Sequence, residues 1–260
     1  GRFSQNLNAG HLSSNGYMPN TDYKPHPLFY QAALKTKSGS ADFQAGYSAR
    51  DFGANSFYSL KYPDQFESVH TTFLSLKYER QTRIRLSQAA FIRRNRDRFE
   101  LIRNEPGKVP FNHHLTSTSG YNINTGLVWK AGKTSLAADI RNEHILSTVL
   151  GNPRPSLPEI KGYEGLFYSR SYNRLNTTFY LEHLLTVGKF TFQTGTMAHH
   201  NPGIAQFRLY PGIDIHYRLK NHQSLFGAFN KTLRMPTFTD MFYKSPVQQG
   251  IGILYGLAAC

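Results

Sequence analysis

The sequence is short of cysteine, of acidic residues and of long apolar runs. Its 260 residues contain one cysteine, Cys260, so no disulfide can form within the chain and no thiolate cluster can bind a metal. No apolar run approaches the ~18 residues that a membrane-spanning helix needs, and the mean hydropathy is −0.48. A helical membrane protein is therefore excluded, and stability must come from packing and strand pairing.

Basic residues outnumber acidic residues by 30 to 16, which gives a net charge of +14. Such an excess is typical of proteins that bind phosphates. The densest basic run, which could meet nucleic acid, lipopolysaccharide phosphates or an anionic ligand, comprises Arg93, Arg94, Arg96 and Arg98. Because no nucleic-acid-binding motif accompanies this run, we expect no nucleic-acid partner.

Aromatic residues are abundant, at 14% of the chain, and many lie in stretches of alternating polarity. The longest such stretch runs from Phe207 to Leu219. One set of alternate positions holds Phe207, Leu209, Pro211, Ile213, Ile215, Tyr217 and Leu219, and the other holds Arg208, Tyr210, Gly212, Asp214, His216 and Arg218. A period of two residues predicts a β-strand with one apolar and one polar face.

Similar stretches recur along the chain, and their connections alternate between two to four residues and roughly ten to twenty residues. Short turns on one side and long loops on the other are typical of outer-membrane barrels. We therefore predict an all-β, antiparallel transmembrane β-barrel. The alternative is a soluble all-β sandwich, a binding or adhesion module whose aromatic loops hold a glycan or a peptide. The count is about eleven strands, and because bacterial single-chain barrels usually have an even number, we expect part of a larger barrel.

The segment Asn230–Tyr243, NKTLRMPTFTDMFY, resembles the strand-to-loop motif of TonB-dependent outer-membrane receptors. The motif residues here are Arg234, Pro236 and Thr237, which we expect to shape the junction between strand and loop. Three further stretches look like the vitamin-B12-receptor-like branch common in Bacteroidetes, namely Gly16–Asp22, Phe52–Glu67 and Arg141–Gly151.

The resemblance implies a barrel of about 22 strands in the outer membrane, filled by an N-terminal plug. It also implies uptake of a scarce metal chelate, driven by the TonB energy-transducing complex through that plug, with outer-membrane lipid and lipopolysaccharide as neighbours. Cobalamin leads over a ferric siderophore on resemblance alone. Haem is disfavoured because no histidine follows Arg234, whereas haem receptors of this superfamily are expected to carry one there.

The sequence departs from that family in two respects. Neither a plug nor its energy-coupling box is found, so residues 1–250 are interpreted as part of a receptor barrel. Residues 251–260 form an atypical tail where the family continues with further strands. We interpret this tail as a truncation or frameshift.

Candidate binding residues lie in predicted outer loops, where aromatic rings can stack on a large ligand or on the loop itself. They are Tyr17, Phe57, Tyr58, Tyr62 and Phe111, together with His113 and His114, whose imidazoles could bind haem iron. Loop calcium at Asp51, Asp64 and Glu67 is the alternative to ordinary surface charge. Because these carboxylates do not form a recognised calcium loop, we expect no metal and no cofactor. No nucleophile, base and acid are arranged for catalysis, so we expect no enzyme.

Overall fold

The chain folds into twelve strands and one short helix in a computed structural model that describes residues 1–106, 111–203, 207–220 and 223–244. The elements are β1 (Arg2–Ala9), β2 (Tyr23–Lys35), β3 (Gly39–Gly53), β4 (Phe66–Gln81), β5 (Ile84–Glu100), β6 (Phe111–Trp129), β7 (Gly132–Ser147), β8 (Asn152–Pro153), β9 (Arg170–Val187), β10 (Phe190–His200), β11 (Arg208–Lys220), β12 (Gln223–Asn230) and α1 (Phe238–Phe242). The tail predicted at residues 251–260 lies outside the described residues. No helix in the described ranges is long and apolar enough to cross a membrane.

All twelve strands belong to one antiparallel sheet. Eleven of them pair in chain order, and the two-residue β8 pairs beside β9. This meander confirms the predicted all-β class, the antiparallel arrangement and the count of about eleven strands. Each strand finds its partner in the strand next along the chain, because a short turn or a loop returns the backbone antiparallel to it.

The connections alternate in length, as predicted. Those at residues 36–38, 82–83, 130–131 and 188–189 are short, and those at residues 10–22, 54–65, 101–110 and 148–169 are long. The sheet therefore has a short-turn end and a long-loop end. The sequence also predicts a turn at residues 220–222, which falls partly outside the described residues.

The composition of the sequence predicts a loop from Asn104 to Gly120, and this prediction is wrong from Phe111 onward. Strand β6 begins at Phe111, which pairs with Glu100 at the end of β5. Its pairing with β7 begins at His114, which lies opposite Ser147. Polar residues and histidines fill this stretch, so its side chains suggest a loop. Its backbone is nevertheless paired on both sides, because β5 and β7 extend far past the ~9–11 residues that cross a bilayer.

Side chains alternate between two faces of the sheet. On β11 the apolar face carries Leu209, which is 63% exposed, with Ile213 and Ile215 each 38% exposed. No second sheet covers these residues in the ranges that the structure describes. A soluble sandwich would bury this face against another sheet, so the alternative fold is not supported.

One glycine position tests the tight hairpin between β6 and β7. Gly132 has a φ of +127°, and a Cβ atom there would lie 2.1 Å from the carbonyl oxygen of Leu184. We expect Gly132→Ala to lower the free energy of unfolding by roughly 1–3 kcal/mol, through backbone strain and overpacking. Urea unfolding of the folded protein in detergent measures this change.

The matched control lies in the same hairpin. At Gly126 the atom nearest to an added Cβ atom would be Ser135 Oγ at 3.6 Å, an ordinary contact. Gly126→Ala should therefore change stability by only about 0.5 kcal/mol. Equal effects of the two substitutions would contradict the geometry of this turn.

Candidate functional site

Three long loops are joined by a polar network at the long-loop end of the sheet, which we call the loop clasp and which consists of Asn20, Asp22 and Arg103. Asn20 Nδ2 donates to the carbonyl oxygens of Pro63 at 2.9 Å and Gln65 at 2.7 Å. Arg103 Nη1 donates to Asn20 Oδ1 at 3.1 Å, and Arg103 Nη2 donates to Asp22 Oδ2 at 3.0 Å. Residues far apart in sequence thus fix loops 10–22, 54–65 and 101–106 to one another.

The electrostatics of the loop clasp favour its charged form. The hydrogen bond from Arg103, opposed by partial burial, holds the pKa of Asp22 below its usual value of 3.8. The same contact raises the pKa of Arg103. The Arg103 guanidinium also lies 4.4 Å from the centre of the Phe66 ring, which adds a cation–π contact.

Four predicted aromatic residues lie on the joined loops. Tyr17 is 88% exposed and Phe57 is 75% exposed. Loop 54–65 touches loop 10–22 directly, because Asn55 Nδ2 donates to the carbonyl oxygen of Pro19 at 2.7 Å. The structure therefore places Tyr17 and Phe57 on two connected loops with their rings largely exposed.

Tyr58 and Tyr62 are more constrained. The Tyr58 ring meets Phe57 edge-on at 4.8 Å and Phe99 edge-on at 5.5 Å. Its hydroxyl donates to Glu67, and burial followed by this contact raises the pKa of Tyr58, so the phenol stays neutral. Tyr62 is half-buried, with the Lys61 ammonium 5.5 Å from its ring centre. Through these contacts Tyr58 and Tyr62 stabilise the loop at residues 54–65.

Phe111, His113 and His114 do not lie on a loop, which corrects the prediction for all three. They belong to β6, and adjacent strand residues point to opposite faces. His113 is 1% exposed and is hydrogen-bonded to the Tyr168 hydroxyl at 2.9 Å, whereas His114 is hydrogen-bonded to Ser147 Oγ at 2.8 Å. The two imidazoles therefore cannot bind one metal ion together.

Residues 148–169 explain why His113 is buried. This long loop packs Ile160 and Tyr168 against Leu115, with Phe111 and Tyr163 beside them, in a small apolar core. Phe111 stacks on His113 at 5.9 Å between ring centres. The three residues of β6 therefore serve packing and hydrogen bonding within the described residues.

Two of the three carboxylates considered for calcium have protein partners. Asp51 lies 3.4 Å from His70 Nε2, and Glu67 accepts from Tyr58. Among the described residues, no three histidine, cysteine, aspartate or glutamate side chains are grouped to hold a metal ion. Calcium binding stays a prediction that these contacts do not test.

A cavity of about 1010 Å³ opens on the polar face of the sheet. Its walls come from β6, β7, β9 and β10 and from the residues that follow β12. Charged residues of both signs line it, namely Lys133, Asp139, Arg141, Glu143, Arg174, Glu182 and Arg234. A mixed polar lining of this kind suits contact with a polar protein surface or a charged solute.

Arg174 joins the segment after β12 to the polar face. It is 9% exposed, pairs with Glu143 and donates from Nη1 to the carbonyl oxygen of Pro236 at 2.6 Å. Its guanidinium also lies 4.8 Å from the centre of the Phe238 ring. Sequence reasoning missed Arg174, although its place in the polar alternation of β9 was a usable signal.

The motif residues have structural roles in this segment. Thr237 caps α1, because its side chain accepts from the backbone of Asp240 while the Asp240 carboxylate accepts from the backbone of Thr237. Pro236 supplies the carbonyl oxygen for Arg174. Arg234 is exposed and lines the cavity.

Solved structures resemble this chain in fold. A structure of the ferric citrate transporter FecA in its unliganded form matches with a TM-score of 0.64 and 12% identity, over 86% of this chain and 38% of that chain. A mutant of the ferric enterobactin receptor PfeA from Pseudomonas aeruginosa matches with a TM-score of 0.63 and 12% identity, over 85% of this chain and 34% of that chain. The siderophore receptor PirA from Pseudomonas aeruginosa matches with a TM-score of 0.57 and 9% identity, over 90% of this chain and 40% of that chain.

This chain has the fold of an outer-membrane β-barrel wall. It spans about a third to two fifths of the length of these three proteins. No protein-family model matches it, and no curated protein sequence does. The three proteins are named for ferric chelates or siderophores, and none of the three is named for cobalamin, so the lead given to cobalamin receives no support from them.

The loop clasp predicts a pH dependence of loop order in this barrel wall. Because the pKa of Asp22 is lowered in the folded state, the clasp is stable above pH 3.8 and is lost as the pH falls through that lowered pKa. Hydrogen exchange of residues 10–22, corrected for the intrinsic effect of pH, should accelerate only in that acidic range.

Asp22→Asn provides the comparison. The neutral amide cannot pair with Arg103 as an ion, so exchange in residues 10–22 should be faster at pH 7 and should lose its acidic transition. Asp64→Asn is the control, since Asp64 contributes its carbonyl oxygen to the backbone amide of Arg103 and its side chain is exposed. An acidic transition that survives in Asp22→Asn would show that another group controls these loops.

Proposed function

We propose that this chain is part of the barrel wall of a TonB-dependent outer-membrane receptor that takes up a ferric chelate. The observation that carries the proposal is the eleven-strand meander with one exposed apolar face and alternating short turns and long loops. A sheet with that pattern is suited to lipid on one side and a polar lumen on the other. The likeness to three proteins named for iron chelates or siderophores supports the same conclusion.

The proposed cargo is a ferric chelate rather than cobalamin or haem. Each of the three similar proteins carries a ferric chelate or a siderophore in its name. The histidine pair considered for haem points to two different faces, and His113 is buried under Tyr168. The exposed rings of Tyr17 and Phe57 provide flat surfaces for a large, partly aromatic chelate.

In the proposed mechanism the long loops capture the chelate and the polar face guides its passage. The loop clasp holds two aromatic loops in a fixed relation, which lowers the entropy lost when a ligand binds. The polar cavity, with Arg174 and Arg234 in its lining, lies on the face that would line the lumen around a plug. Release through the lumen would require the TonB complex to displace that plug, so the proposed activity is transport.

Binding of ferric chelates tests this function on the full chain in detergent. Ferric enterobactin, ferric citrate and cyanocobalamin are titrated separately, and we expect binding of a ferric chelate only. Phe57→Ala should weaken that binding by about tenfold, since loss of one stacked ring costs about 1–2 kcal/mol.

The control for this substitution is Phe3→Ala. Phe3 is an exposed aromatic residue paired opposite Leu34, near the short-turn end. Its removal should leave chelate affinity unchanged. Binding of cyanocobalamin alone would contradict the iron-chelate proposal, and equal losses in both variants would contradict the role given to the loops.

A further inference from the structure

Two histidines face each other where the chain leaves β1 and enters the loop at residues 10–22. The Nδ1 atoms of His11 and His26 lie 3.0 Å apart, and the two rings stack with their centres 4.6 Å apart and their planes 28° apart. Both side chains are exposed. Of the hydrogen bonds between described residues, this one alone joins two imidazole rings.

The backbone holds these two side chains directly opposite each other. The amide of Gly10 donates to the carbonyl oxygen of Pro27 at 2.9 Å, and the amide of Leu12 donates to the carbonyl oxygen of Pro25 at 3.3 Å. These two bonds continue the ladder of β1 and β2 into the loop, and they flank the histidine pair. The histidines therefore occupy a cross-strand pair without backbone hydrogen bonds of its own, the type in which opposite side chains lie closest together.

The separation of the two nitrogens fits a single metal ion. Bonds from a metal to imidazole are ~2.0–2.1 Å long, so two nitrogens 3.0 Å apart subtend an angle of about 94° at the metal. That angle is close to the roughly 90° between neighbouring ligands of a square-planar or octahedral ion, whereas a tetrahedral ion requires about 109°. Cu²⁺ and Ni²⁺ favour the former geometry and accept imidazole as a ligand. Because the pair is exposed, water can fill the other positions.

Binding requires one change of tautomer. A hydrogen bond between two neutral imidazoles places a proton on one Nδ1 atom and a lone pair on the other. When that proton moves to the Nε2 atom of the same ring, both Nδ1 atoms present lone pairs to the ion. No proton has to leave the pair, so a neutral pair can bind the metal without a net change in protonation.

The neighbouring positions of the sheet limit the site to two protein ligands. Lys24, two residues along β2 on the same face, lies opposite Asp51 on β3, so one positive and one negative side chain stand beside the pair. Asp51 lies 3.4 Å from His70 Nε2. His70 itself is two strands away from His26, beyond Ala49, which is ~10 Å at the usual strand spacing.

The pair stands above the apolar part of its strand. On the same face of β2, the positions between His26 and the short turn carry Leu28, Tyr30 and Leu34. From residue 35 to residue 26, nine residues at ~3.3 Å each and a tilt of about 40° rise ~23 Å, which nearly equals the ~25 Å apolar band of an outer-membrane barrel. In the proposed membrane wall the pair is therefore at the water boundary, where a dissolved ion can reach it.

We propose that His11 and His26 form a binding site for one divalent transition metal ion of the Cu²⁺ or Ni²⁺ type, which clips the start of loop 10–22 to β2. The ion and the loop clasp then fix the two ends of a loop that carries Tyr17. The site lies on the face opposite the polar cavity and is independent of the proposed cargo.

Metal binding to the full chain in detergent tests the proposal. The protein carries no histidine tag and has Cys260→Ser, so that no thiol competes for the metal. Cu²⁺, Ni²⁺ and Mg²⁺ are titrated separately by calorimetry at neutral pH. Cu²⁺ should bind most tightly and Ni²⁺ next, whereas Mg²⁺ should not bind, because it prefers oxygen ligands. The electron paramagnetic resonance spectrum of one equivalent of bound Cu²⁺ should show coupling to two nitrogen nuclei.

Variants locate the site. His11→Ala and His26→Ala should each weaken Ni²⁺ binding by about tenfold or more, because the second imidazole no longer binds as part of the same molecule. Two controls keep the pair intact, namely His70→Ala, on the same face, and His216→Ala, an exposed histidine of β11. Both should bind Ni²⁺ as the parent does.

Hydrogen exchange reports the clip itself. With Ni²⁺ at about a hundred times its dissociation constant, exchange of the Gly10 and Leu12 amides should slow by up to about a hundredfold, since the ion binds only the paired strands. In His26→Ala, Ni²⁺ should leave the exchange of these amides unchanged.

Three results would overturn the proposal. Coupling of Cu²⁺ to one nitrogen only would show that the histidines do not share an ion, and unchanged exchange of Gly10 and Leu12 with Ni²⁺ would show that no clip forms. These two measurements use the parent protein and need no variant. Unchanged Ni²⁺ affinity in His11→Ala and His26→Ala, or an equal loss in His70→Ala, would place the metal elsewhere. Chelate binding is measured separately, so its failure would leave the metal result unaffected.

Discussion

Hydrogen bonding between strands that follow one another in the chain is the constraint on which the rest of the structure depends. Eleven strands pair in sequence order, so each register fixes the next one. Because side chains alternate along every strand, a slip by one residue would exchange the apolar and polar faces across the sheet. The sheet keeps one apolar and one polar face only because all the registers agree.

That constraint also explains why the candidate binding residues of the loops lie at one end of the sheet. Short turns leave little chain at the short-turn end, whereas the long-loop end carries the loop clasp, the exposed rings of Tyr17 and Phe57, and the loop over His113. Strands β1 and β12 each pair on one side only within the described residues. Since unpaired backbone groups are costly in lipid, the proposed membrane wall requires further strands beside both edges.

The two-residue period made the faces and ends of the sheet predictable. The stretch from Phe207 to Leu219 predicted a strand with an apolar face, on which Leu209, Ile213 and Ile215 are exposed, and the lengths of the connections predicted the two ends. The start of β6 was not predictable, since Phe111–Gly120 has the composition of a polar loop and becomes a strand only by pairing with extended neighbours. His113 is buried by a loop that follows it by more than thirty residues, and no local pattern shows that contact. The loop clasp likewise joins Asn20 to Arg103 across distant loops, so only the three-dimensional structure shows it.

The proposed membrane wall requires that the apolar face of this sheet lies in lipid. Nitroxide labels at single cysteines along Leu209–His216, introduced after Cys260→Ser, test it most directly in reconstituted bilayers. Labels at Leu209, Ile213 and Ile215 should be accessible to oxygen dissolved in the lipid, whereas labels at Gly212, Asp214 and His216 should be accessible to a water-soluble nickel complex. Uniform access of the nickel complex to every position would contradict a membrane wall.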